Sequence, residues 1–114
     1  MSDGLVAFLR ARLDEDAARQ QDRFERWHHR DCESLPDGNY PTFACDCGVP
    51  ARALADVQAK RALLDEHVSS QQTLDAIDYP DMQDVGRVAG LETALQYEAL
   101  PYSNHPDYRE DWRP

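Results

Sequence analysis

Apolar residues at Leu5, Phe8, Leu9, Leu13, Ala17, Phe24 and Trp27 recur at steps of one, three, four or seven, which places them on one face of a helix. Ser2 or Asp3 can cap its start, and no Gly or Pro interrupts Leu5 to Arg30, so the pattern predicts a helix over about 3–30. Arg10 with Asp14, Glu15 with Arg19, and Asp22 with Arg26 are each four apart and suit its solvent face. Such a helix is about 42 Å long, whereas a compact chain of this length is about 34 Å across. It should therefore overhang or bend. The apolar face thins at Gln20 and Gln21, which leaves Phe24 and Trp27 as a second patch needing a cover, either the C-terminal tail or a second subunit.

Residues 31–49 hold Pro36, Gly38, Pro41 and Gly48 without helical period and read as a loop, with room for a short hairpin around Tyr40 to Cys45. A second helix is expected from Pro50 to about Ser69, with Leu54, Val57, Leu64 and Val68 inward and Lys60 and Arg61 towards water. Residues 70–84 read as a polar connection stopped by Pro80, with a short turn at Thr73 to Ile77. A third helix fits Asp84 to Leu100, with Val85, Val88, Leu91 and Leu95 inward and Pro101 as terminator. Within it, Gly86 and Gly90 each cost about 1 kcal/mol against alanine, or else permit close helix contact. In the aromatic tail 101–114, Asn104-His105-Pro106-Asp107 reads as a turn that brings Tyr108 and Trp112 onto one side. The expected architecture is one all-α domain: a long first helix, an irregular cysteine-containing loop, two shorter helices and an ordered tail.

Composition narrows the function. The 114 residues have room for one domain with a modest core. A formal net charge of −10 excludes a general nucleic-acid or anionic-membrane surface, because no basic excess is present to displace counterions from phosphates. The charge is uneven: residues 31–49 and 70–86 each carry four carboxylates and no Lys or Arg, while the first two expected helices are neutral. That distribution speaks against an extended acidic mimic of DNA and leaves the helix faces for apolar protein contacts, with a protein partner or a second copy. The apolar run Leu5 to Leu9 is too short for a signal peptide core or a membrane span, so a cytoplasmic location is expected.

Three cysteines do not make a disulfide framework. His28 and Cys32 are four apart at the end of the first expected helix, and Cys45-Asp46-Cys47-Gly48 presents two thiols from a tight turn. Together His28, Cys32, Cys45 and Cys47 would make a closed four-ligand N/S site suited to structural zinc, with no position left open for catalysis. The competing reading is three unrelated thiols, buried or idle.

Asp75, Asp78, Asp81 and Asp84 form a ladder at intervals of three that could ligate a hard cation, but no calcium-loop motif accompanies them. Solvated loop residues, with Asp81 or Asp84 as an N-cap, are the plainer reading. Phosphate-binding loops, nucleophile elbows and His-Glu-x-x-His are absent from the sequence. Ser103, His105 and Asp107 are neighbours in sequence, which is not triad geometry. Tyr102, Tyr108 and Trp112 can cover a helix face, or, if exposed, act with Phe24 and Trp27 as a partner-binding hot spot.

The stretch PARALADVQAKRALLDEH, residues 50–67, the ending ALPYSNHPDYREDWRP, residues 99–114, and the opening LVAFLRARLDED, residues 5–16, resemble a family of small actinobacterial and phage proteins of unknown function. The resemblance implies such a source and a cytoplasmic protein, and brings no catalytic residues with it. The cysteine cluster lies outside these blocks. The leading expectation is a non-enzymatic interaction or accessory protein, encoded by a phage or mobile element, acting through helix-one and tail surfaces. A zinc-stabilised binding module comes second, and an enzyme using a divalent cation at Asp75 to Asp84 third.

Overall fold

A computed structural model of the chain describes residues 2–21 and 49–114. Three α-helices are present, with no strand among the described residues: α1 (Ser2–Gln21), α2 (Val49–Asp75) and α3 (Met82–Ala99). Two short 3-10 turns follow, Leu100–Tyr102 and Glu110–Trp112. The protein is all-α, as its periodicity predicts. Residues 22–30 of the long first helix expected from sequence, and the cysteine loop as far as residue 48, lie outside the described residues.

The α2 helix runs six residues beyond the expected stop at Ser69. The polar run Ser69 to Asp75 lacks an apolar period but contains no Gly or Pro to break the backbone. It is also stitched internally: the Thr73 hydroxyl donates to the Ser69 carbonyl at 3.0 Å, and Gln71 Nε2 donates to Asp75 Oδ1 at 2.9 Å. Pro80 disfavours helical backbone at the residue before it, which separates α2 from α3. The α3 helix starts at Asp81, whose carboxylate accepts the Asp84 N–H at 2.9 Å, one of the two caps anticipated.

The chain divides into two compact units, residues 1–12 with 60–114 and residues 13–59. In the first, Leu5, Val6, Phe8 and Leu9 of α1, Leu64 of α2, Val88, Leu95 and Ala99 of α3, and Trp112 of the tail are buried. In the second, Leu13, Ala17 and Val57 are buried. Three residues depart from their expected faces: Val85, Lys60 and Arg61, the last half-buried although expected towards water. Val85 was expected inward and is 48 % exposed, because the inward row of α3 runs Val88, Leu95, Ala99 and Val85 falls off its edge. Lys60 was expected towards water and is half-buried, paired with Glu98 of α3 at 3.7 Å.

Candidate functional site

The tail packs on α1 through aromatic rings. Phe8 projects from α1 into a set formed by Tyr102, His105, Tyr108 and Trp112, with ring centroids 6.3, 5.7, 5.9 and 5.1 Å away. Three of the four meet Phe8 edge-on, which sets a positive ring edge against a negative face. Gly4, one turn earlier, brings the α1 backbone close: a Cβ built there would lie 3.5 Å from the Trp112 ring. The Arg12 guanidinium lies over Phe8 at 5.0 Å and within hydrogen-bond distance of both His105 ring nitrogens. His105 Nδ1 accepts the Asp107 backbone N–H at 3.0 Å, so His105 ties its own turn to α1.

Outside this cluster, Arg113 donates to both carboxylate oxygens of Glu110, at 2.9 and 3.1 Å. That pair holds the Glu110 carboxyl below its ordinary range through the hydrogen bond first and the charge second.

Of the residues expected to bind a partner, Trp112 is therefore buried, and Tyr102 and Tyr108 are half-buried against the same helix. They cover an apolar face of α1. Phe24 and Trp27, and the expected zinc ligands His28, Cys32, Cys45 and Cys47, lie outside the described residues. Among the described residues, no group of three or more His, Cys, Asp or Glu is placed to hold a metal ion. In the aspartate ladder, Asp81 is engaged as a helix cap and Asp75 accepts from Gln71.

A cleft of about 350 Å³ lies between the opening turns of α1 and the closing turns of α2, lined by Asp3, Val6, Ala7, Arg10, His67, Val68, Gln71, Gln72 and Asp75. Arg10 meets Asp65 at 3.7 Å, not the Asp14 its spacing suggests. With Asp3 and Asp75 sharing the cleft, the two segments run in opposite directions. His67 is 1 % exposed, and neither ring nitrogen has a hydrogen-bond partner among the described residues. An unsatisfied buried polar group of this kind costs about 1–3 kcal/mol, so its position beside a cleft is notable. The sequence signal was present, since His67 follows Leu64 by three on the α2 core face, but a histidine in that row reads as packing.

The outward face of α3 is the other unusual surface. Met82, Val85, Gly86, Ala89, Gly90, Thr93 and Tyr97 follow one another at steps of one, three or four, and all are exposed. Met82 is 90 % exposed and Tyr97 60 %. No charged side chain interrupts this stripe. Its one aliphatic hydroxyl, on Thr93, donates back to the Ala89 carbonyl at 3.0 Å. A Cβ at Gly86 or Gly90 would meet nothing within 4 Å. Neither glycine is needed for packing in the described part of the chain.

Comparison with known proteins decides the family. A model of a family of unknown function, DUF6221, matches residues 2–114. The chain belongs to DUF6221. No curated protein and no solved structure gives a significant match. The match spans the aromatic tail and all three helices of this DUF6221 chain, so the arrangement around Phe8 falls within the family's extent. No helix among the described residues is long and apolar enough to cross a membrane.

Proposed function

We propose that the protein is a non-enzymatic interaction or accessory protein that associates through the outward face of α3 with α3 of a second copy. The tail half of the surface expected from sequence is packed on Phe8, its helix-one half lies outside the described residues, and among the described residues the face that supports a docking role is that of α3. The observation that carries this reading is the uncharged stripe Met82 to Tyr97 in a chain with 30 % charged residues. Its large residues stand at the ends and its small ones in the middle. Run antiparallel about a two-fold axis between Ala89 and Gly90, the stripe sets Met82 against Tyr97 and Gly86 against Thr93 of the other copy. The small centre lets the two helix backbones approach closely, which accounts for two helix-weakening glycines on an open face. Such a pairing is isologous, the same patch serving both subunits.

The experiment is sedimentation or light scattering across a wide concentration range. A monomer–dimer equilibrium is expected, strengthened by added salt because each copy carries a net charge of −10 that salt screens. Ala89→Glu should give a monomer of unchanged helicity, since Ala89 is exposed. A wild-type protein that stays monomeric at every concentration overturns the proposal.

A further inference from the structure

Apart from the α3 face, we infer that the α1–α2 cleft is a binding site for a small elongated zwitterion, with an amine at one end and a carboxylate at the other. The two ends of the cleft differ in charge. Because α1 and α2 run oppositely here, Asp3 and Asp75 fall together at one end and Arg10 at the other. Arg10 is seven residues from Asp3, about 10 Å along the helix. Between these ends the walls carry Val6 and Val68, which suits a short methylene spacer. The volume of about 350 Å³ is at the small end of ligand sites and fits a single short chain.

Charge alone would not make this a site. The second observation is His67, which lines the cleft, is 1 % exposed and has both ring nitrogens unpartnered among the described residues. It is two helical turns from Asp75 and so belongs to the Arg10 end. A neutral imidazole carries one donor and one acceptor. Turned to donate to the ligand carboxylate beside Arg10, the ring would gain the partner it lacks. Arg10 retains donors for this contact, because its pairing with Asp65 is long, 3.7 Å, and both side chains are more than half exposed.

The test is calorimetric titration of the full chain with 6-aminohexanoate, and with hexylamine and hexanoate as probes having one charged end each. The zwitterion should bind at least about tenfold more tightly than either single-ended probe, because a site built for two polar groups rejects a ligand lacking one. Arg10→Gln should reduce 6-aminohexanoate to the level of hexylamine, and Asp75→Asn should reduce it towards hexanoate. Both residues are polar and line an open cleft, so helicity should be retained. In the wild-type protein, the nitrogen resonances of His67, assigned by their loss in His67→Gln, should shift on addition of 6-aminohexanoate. No binding, equal binding of all three probes, or binding that leaves the His67 resonances in place would each overturn the inference. The outcome is independent of whether α3 pairs with a second copy.

Discussion

The indole of Trp112 lies 5.1 Å from the ring of Phe8, and this contact brings the tail onto the first helix. Trp112 is 7 % exposed and Phe8 6 %, so each is a core residue for the other. Arg109 lies over the indole at 5.5 Å. The tail therefore belongs to the compact unit that includes the first turns of α1.

Replacing Trp112 by alanine should cost about 3–5 kcal/mol, the usual penalty for truncating a buried large aromatic. Denaturant unfolding followed by circular dichroism measures it. A midpoint unchanged from wild type would mean that the tail does not contribute to the fold.

Gly86→Ala and Gly90→Ala should each raise the stability of the monomer by about 1 kcal/mol, because alanine lowers the entropy cost of the helix and both sites are open. The check is thermal unfolding at protein concentrations below the self-association range. A drop in Tm would show that the glycines serve packing within the chain.

Asp81→Ala should weaken α3 by about 1 kcal/mol through loss of the bond to the Asp84 N–H. Asp81→Asn should recover most of it, since an amide oxygen also accepts. Because Asp78, Asp81 and Asp84 are close in sequence, the alanine change also removes some like-charge repulsion, and comparison of the asparagine and alanine proteins isolates the hydrogen bond.

Glu110 should titrate below the usual glutamate range and return towards it in Arg113→Gln, read from the side-chain carboxyl resonance. A depressed folded pKa means that the pair's stabilising effect is present above the unfolded glutamate pKa. It is lost as pH falls through the lower folded value. The group is fully exposed, so the effect belongs to the local turn and should leave global unfolding almost unmoved.

For the quartet His28, Cys32, Cys45 and Cys47, the zinc reading predicts about one zinc per chain in protein purified without chelator, lost in a Cys45→Ser, Cys47→Ser variant. Metal analysis by mass spectrometry distinguishes it from three idle thiols, for which metal-free protein keeps the same stability.

The sequence by itself determined the helical class and the buried row Leu5, Phe8, Leu9, Leu13 and Ala17, and narrowed the α3 cap to Asp81 or Asp84, because each depends on residues within a few positions of one another. Periodicity identifies a face but not the neighbour that covers it. Tertiary structure therefore decided that Val88 and not Val85 begins the inward row of α3, and that Arg10 answers to Asp65 and not Asp14. The end of α2 also escaped the pattern. Five of its last six residues are polar, and their helix is held by side-chain bonds that hydrophobic spacing does not register.

The tail shows the same division. Its aromatic content was plain, and both fates, covering a helix or meeting a partner, were written in the same residues. Only the distances to Phe8 separate them, because ring packing depends on contacts across nearly the whole sequence. The significance of His67 and of the α3 stripe escaped the sequence for a related reason. A buried histidine without a partner, and an exposed glycine with empty space above it, are defined by what surrounds them, and those surroundings exist only once the helices have packed.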